Sequence, residues 1–302
     1  MDRQKVALVT GVSSGIGCAT ATALADAGFR AFGTLRNPAK SGQQPRDVEL
    51  VPLDVRDENS VRSAVGTVLE RAGRLDVLVN NAGIAMIGSA EETSIEEAKE
   101  LFETNFFGVL RLTQQVLPIM RKQGSGRIIN ISSVVGFLPA PYMAAYAASK
   151  HAIEGYSESL DHELRPFGIR VSLVEPGFTR TSLVQNGREV GRSLEAYSRG
   201  HHLALKAINH AISRGDDPLT VALVVVKAVG NSKPRLRYQA GREANKLSRL
   251  KRWAPAQLLD NGLRKQFGLS AMPTQHSVTA VQSQEEKTPP PGLTLGRIRQ
   301  QF

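Results

Sequence analysis

The chain has 302 residues, enough for one large α/β domain or two small ones, and its 41% apolar and 22% charged content is that of a globular protein with a sizeable core. One cysteine, Cys18, excludes an internal disulfide framework and reads as helix packing. The net charge of +10 points to nucleic acid only until it is located. Residues 233–252 hold eight Lys or Arg against one Glu, residues 253–302 add +2, and residues 1–232 carry +1. A nucleic-acid binder that tracks a groove needs a basic body, and this body is nearly neutral. No signal peptide or membrane span is visible. The most apolar run, VALVVVKAVG at 221–230, is short and interrupted by Lys227. A cytoplasmic protein is expected.

In chain order, short apolar runs alternate with longer helical ones. KVALVTG, RAFGTL, VELVPLDV, LDVLVNNAG, GRIINISS and IRVSLVEPG read as six strands, with RLRYQ at 235–239 a candidate seventh. Their Val/Ile/Leu runs are continuous, as in strands covered on both faces. Helices are expected between them, including one long helix over IEEAKELFETNFFGVLRLTQQVLPIMRKQG. Strand and helix in alternation give an α/β fold with a doubly wound parallel sheet and helices on both faces. Residues 1–240 form one catalytic-size domain in this reading. Residues 182–215 break the rhythm at the carboxyl edge of the sheet, where a substrate lid or an extra packing helix would sit. Residues 241–270 read as two amphipathic helices separated near Pro255. Residues 271–302, polar and proline-rich, read as a flexible tail.

Three stretches point to chemistry. TGVSSGIG at 10–17 joins the first strand to the first helix, where glycines let backbone N–H groups approach a phosphate and the helix N-terminus adds positive potential. In YMAAYAASK, Tyr146 and Lys150 stand four apart in an alanine-rich helix and share one face. Alone, that pair recurs by chance. A dinucleotide site usually holds the adenine ribose with an acidic residue about 20 positions on, yet no Asp or Glu lies between Asp26 and Asp47. Arg36 stands there instead, and a guanidinium suits a 2′-phosphate, so NADP(H) is expected over NAD(H).

TGVSSGIG, NNAG at 80–83, Asn105 in ETNFFG, ISS at 131–133, YAASK, and Pro176-Gly177 stand in the order and spacing of the short-chain dehydrogenase/reductase family, which the chain resembles over residues 4–240. GTLRNP, LDVRDENSV and the C-terminal extension resemble its 17β-hydroxysteroid and retinol dehydrogenase type. The resemblance implies a Rossmann-type sheet and a homodimer paired through the helices around Asn105 and Tyr146. It also implies Tyr146 as general acid/base, Lys150 as its partner, Ser133 as carbonyl stabiliser and Asn105 as proton relay. Ser133 is preferred to Ser132 because the family's serine stands thirteen positions before its tyrosine. Gly11, Ser13, Ser14, Gly15, Ile16 and Gly17 would wrap the pyrophosphate, and Asp54 and Val55 would hold adenine. Asn80, Ala82 and Gly83 would line the cofactor floor; Pro176, Gly177, Thr179 and Thr181 would meet the nicotinamide. Ser14 departs from the pattern, since many NADP-dependent members carry a basic residue there.

A free tyrosine, with a pKa of about 10, is a poor base, and a cation within roughly 4–6 Å could lower it by about 1–3 units. Lys150 is expected to supply that cation. Between Ser133 and Tyr146 the chain carries no charge, so Phe137, Tyr142 and Met143 are expected to wall a pocket for an apolar ketone, aldehyde or alcohol. The alternative is a dinucleotide-binding regulator on the same fold. No metal site is expected. The basic run at 233–252 is either the solvated face of a helix or a contact with an anionic membrane surface.

Overall fold

The computed structural model describes residues 4–37, 45–183 and 187–271; the tail expected beyond 271 lies outside them. Seven parallel strands form one sheet in the order β3-β2-β1-β4-β6-β7-β9. They are β1 (Val6–Thr10), β2 (Arg30–Leu35), β3 (Val48–Pro52), β4 (Val77–Asn80), β6 (Gly126–Ile131), β7 (Ile169–Pro176) and β9 (Arg237–Ala240). The seventh strand is thus the one foreshadowed by RLRYQ. A second, two-residue pairing joins β5 (Met86–Ile87) to β8 (Arg188–Glu189).

Strand side chains alternate between two cores, as a period of two requires. Val6 and Leu8 enter a core with α2 (Glu58–Ala72), α4 (Gly108–Gln123) and the distal part of α5 (Ala144–Leu164). Ala7 and Val9 enter the opposite core with α1 (Gly15–Asp26) and α7 (Pro218–Gly230). Burial on both faces is why these strands read as continuous apolar runs.

The chain starts in the middle of the sheet. It runs outward from β1 to β3, then crosses back to β4, leaving β1 between β2 and β4. That reversal opens a crevice beyond the carboxyl ends of the strands, where ligands of doubly wound sheets bind.

The expected single helix over 95–124 is divided. A capping box starts α3 (Ile95–Phe102): Glu97 N donates to Ser94 Oγ at 3.2 Å and Ser94 N donates to Glu97 Oε2 at 2.8 Å. A π-helical turn, Glu103–Phe107, then precedes α4. Such turns cluster at functional sites, and this one carries Asn105. After β7 come α6 (Glu195–Ser213) and α7; α8 (Arg242–Trp253) and α9 (Ala256–Gln266) flank Pro255. Among the described residues no helix is long and apolar enough to cross a membrane.

Candidate active site

A cavity of about 860 Å³ runs from the β1–α1 turn across the sheet's carboxyl edge to α6 and α9. At one end Gly11, Ser13, Ser14, Gly15, Ile16 and Gly17 line it. Gly11 has φ +71°, a left-handed turn that glycine adopts without strain. At Gly17 a Cβ would collide with the Gly11 carbonyl oxygen and Asn81 Nδ2, so only glycine lets α1 come this close to the loop. Ser14, the N-cap of α1, makes no side-chain bond to the helix's first N–H groups. Those donors, with the helix dipole, suit a phosphate. The cradle therefore fits the pyrophosphate of a dinucleotide.

Farther along, Arg36, Asp54, Val55, Ala82 and Gly83 line the wall, joined by Arg56, which sequence reasoning did not single out. Arg56 Nη2 donates to Asp54 Oδ2 at 2.8 Å and its Nε to Oδ1 at 3.1 Å; this bonding holds the Asp54 carboxyl below its ordinary range. Asn80 is a correction. It turns to the sheet interior and donates to Asn130 Oδ1 at 2.8 Å, while Asn81 faces the cavity and ties down Thr10 O at 2.8 Å. Adjacent strand residues point to opposite faces, and two consecutive asparagines hide which one faces the ligand.

Pro176, Gly177, Thr179 and Thr181 close the cavity from the loop after β7. The Thr181 side chain packs toward Gly15, and Ser182 Oγ lies 3.3 Å from Ser14 Oγ, so this loop meets the first glycine turn.

Ser133, Tyr146 and Lys150 meet at the centre. Tyr146 is 6% exposed and Lys150 7%. Burial pushes the Tyr146 phenol up to about 12, against a smaller downward pull from its hydrogen bond with Ser133. Burial pulls the Lys150 ammonium down to about 8, opposed by the Glu154 carboxylate. The expected lowering of the tyrosine by the lysine is thus not what the protein alone produces. Lys150 Nζ sits 5.8 Å from the ring centroid and donates to Ile131 O at 2.9 Å. Desolvation, which favours the neutral phenol, outweighs any pull from the lysine.

Asn105 does not line the cavity. Its Oδ1 accepts from Ile84 N at 2.9 Å, and its Nδ2 donates to Ile84 O at 3.0 Å and Ser149 Oγ at 3.1 Å. Ser149 in turn donates to Tyr146 O at 2.7 Å. These bonds tie the loop after β4 to the tyrosine helix through the Asn105 side chain.

The other half of the cavity is mostly apolar, walled by Val135, Leu138, Met143, Phe178, Ile208, Ile212, Leu263 and Phe267, with Glu243 and Gln266 its polar members from α8 and α9. Met143 stands where expected; Phe137 and Tyr142 do not line the cavity. Because α5 begins only at Ala144, Tyr142 lies ahead of the helix that carries Tyr146. With φ 59°, Tyr142 lies against Gly200 and stacks on His201 of α6 at 5.9 Å and 11°. Phe137 packs with Leu247, Leu250 and Leu263 in the seam under the C-terminal helices. Lysine and arginine reach the cavity, among the described residues, only at Arg36, Arg56 and Lys150.

The model of the short chain dehydrogenase family matches residues 5–190. The chain is 38% identical to 3-ketodihydrosphingosine reductase of Bacteroides thetaiotaomicron, over 86% of this chain and 97% of that one. It is 34% identical to retinol dehydrogenase 8 of Bos taurus (84% and 87%) and 33% identical to 17-beta-hydroxysteroid dehydrogenase type 1 of Mus musculus (91% and 85%). A crystal structure of a Burkholderia phymatum short chain dehydrogenase/reductase in complex with NAD superposes with a TM-score of 0.72 at 27% identity, covering 82% of this chain and 92% of that one. Actinorhodin polyketide ketoreductase with NADPH superposes at 0.66 with 32% identity, covering 78% and 95%.

Proposed function

Since the chain belongs to the short-chain dehydrogenase family and is a nicotinamide-dependent oxidoreductase of carbonyl and alcohol groups, we propose that it interconverts an apolar ketone or aldehyde and its alcohol, with NADP(H) as preferred cofactor and Tyr146 as general acid/base. The observation that carries this reading is the placement of Tyr146 and Ser133 between a phosphate cradle and an apolar chamber free of lysine and arginine. A phosphorylated or carboxylated substrate would find no cation there; a sphingoid, retinoid or steroid skeleton would find matching walls. The relatives named for such substrates support this choice of class.

The cradle fits a nicotinamide dinucleotide, which when bound supplies or accepts the hydride. The residues do the rest. With its pKa pushed up to about 12, Tyr146 is a protonated phenol at neutral pH, ready to give its proton to a carbonyl oxygen. Ser133, in hydrogen-bond contact with that phenol, donates to the same oxygen as charge develops there. The Lys150 ammonium offsets the tyrosinate left behind. Asn105 acts at one remove, by positioning Ile84 and the Tyr146 turn.

Within the expected lid segment, α6 covers the cavity, with Ile208 and Ile212 roofing the apolar chamber. The protein works in the cytoplasm as a homodimer paired through α4 and α5, and α8 touches an anionic membrane surface that delivers lipid-like substrate. The first test is NADPH oxidation by the purified protein across ketones graded in size. Turnover on bulky apolar ketones is expected, with a loss of about a hundredfold or more in Tyr146→Phe. Cofactor binding without turnover on any ketone would favour a regulatory protein instead.

A further inference from the structure

One helical turn beyond Lys150, two carboxyl groups that the proposed chemistry does not use are buried together. Glu154, on α5, has a side chain 8% exposed; Glu175, on β7, has one 1% exposed. Both converge on one nitrogen of Arg237 from β9. Arg237 Nε donates to Glu154 Oε2 at 3.0 Å and stands 3.2 Å from Glu175 Oε1. Nε carries a single N–H, so it cannot satisfy both. The guanidinium is shared further, since its Nη1 donates to Glu158 Oε1 at 2.6 Å. Gln239 Nε2 donates to the other Glu175 oxygen at 2.8 Å.

Three buried oxygens crowd together here without a well-formed hydrogen bond, Glu154 Oε1, Glu175 Oε1 and Ser132 Oγ, with Glu154 in contact with both Ser132 and Glu175. Two buried carboxylates share the Arg237 guanidinium, with Lys150 the other cation facing them, and a proton held between them relieves their repulsion and supplies a donor between their facing oxygens. We propose that Glu154 and Glu175 form a carboxyl–carboxylate pair holding one proton, and that the charge left on this pair sets the titration of Lys150, four residues along the same helix face. The groups facing the pair are Lys150 and Glu158 from α5, Arg237 and Gln239 from β9, and Ser132 after β6. Burial pushes both acids upward, helped at Glu175 by the Glu154 charge and at Glu154 by the Glu158 charge, and Glu175 reaches about 7, in agreement with a shared proton. Glu154 and Glu175 are positioning residues: they act on the reaction through Lys150, and to that extent the inference rests on the catalytic reading of Lys150.

The two acids have opposite effects, which makes the test sharp. Glu154→Gln removes the negative charge beside Lys150 and lowers its pKa. Glu175→Gln removes the competitor for the shared proton, leaves Glu154 the more ionised with Arg237 to itself, and raises that pKa. The Lys150 side-chain nitrogen is followed by NMR across pH in wild type and both variants, its signal assigned by its loss in Lys150→Arg. Shifts of about half a unit or more in opposite directions are expected, with the alkaline limb of kcat/KM moving alongside. Shifts of the same sign, or none, overturn the inference. Lysine shifts as expected with an unmoved activity limb uphold the pair and instead sink the catalytic role of Lys150.

A second readout needs no turnover. A carboxyl whose folded pKa lies near 7, above the 4.5 of the free group, binds more protons folded than unfolded between those values. Its contribution to stability is therefore present below 4.5 and lost as pH rises toward 7. Glu175→Gln should remove that loss. An unchanged slope of stability against pH in this window would overturn the shared proton.

Discussion

Arg36 and Arg56 border the same stretch of cavity, yet their situations differ. Arg56 is committed to Asp54 through two side-chain bonds, whereas Arg36 lies exposed just past β2, and the proposed NADP(H) preference rests on it. A hydrogen bond to a charged group contributes about 1.5–3 kcal/mol. Arg36→Ala should therefore weaken NADPH binding by about tenfold to a hundredfold and leave NADH unchanged, as read by titration calorimetry. Equal losses for both cofactors would remove Arg36 from the choice between them. At this scale the sequence spoke clearly wherever one position admits one residue type: Gly11 for its turn, Gly17 for close approach, Tyr146 and Lys150 for a shared helix face. It was mute where the outcome depends on which way a side chain turns. Asn80 and Asn81 are indistinguishable until the pleat is known, and Tyr142 left the expected wall because α5 begins two residues after it.

Helix α8 has two faces with different tasks. Leu247 borders the cavity and packs with Leu250 and Val134, while the exposed Arg242, Lys246 and Arg249 form a stripe ending at Trp253 that lines an open groove shared with Thr220 and Val224 of α7. Trp253 is 79% exposed and Leu258, on the next helix, 59%. A basic stripe ending in an exposed indole suits an anionic bilayer, where each Lys or Arg near the surface contributes about 1 kcal/mol. The protein is expected to sediment with phosphatidylserine vesicles but not with phosphatidylcholine vesicles, and to partition to membranes on cell fractionation. The charge reversal Lys246→Glu with Arg249→Glu should abolish both. Equal recovery with neutral vesicles, or none with anionic ones, would leave α8 as a plain solvated helix. Two amphipathic helices around Pro255 were legible from periodicity, because their pattern depends only on local spacing. The π turn at Glu103–Phe107 was not, since an unbroken apolar rhythm conceals one extra residue per turn. The β5–β8 pairing, two residues long, leaves no periodic trace at all.

For the whole molecule, strand order was the illegible quantity and fold class the legible one: alternation implies a doubly wound sheet, but nothing in a single strand says who its neighbour is. Assembly of two copies can be argued from the surface where the π turn ahead of α4 meets α5. Phe107 is 43% exposed, and it packs edge-on to Phe106 at 5.3 Å, which in turn meets Tyr156 of α5 at 6.0 Å. An apolar aromatic ledge across two helices is suited to self-association. Sedimentation equilibrium should show a dimer that Phe107→Glu converts to a monomer; a wild-type monomer at tens of micromolar would exclude that pairing. The central position of β1 has a consequence for how the chain comes to be folded. Its β2 partner arrives within the next few tens of residues, but its other partner does not, and the bond from Val6 N to Asp76 Oδ2 spans 70 positions. Long-range parallel pairing closes slowly. On the ribosome, then, the glycine turn and first helix emerge well before Ser133, Tyr146 and Lys150. A nascent chain holds the means to grip a phosphate long before it owns a proton to give.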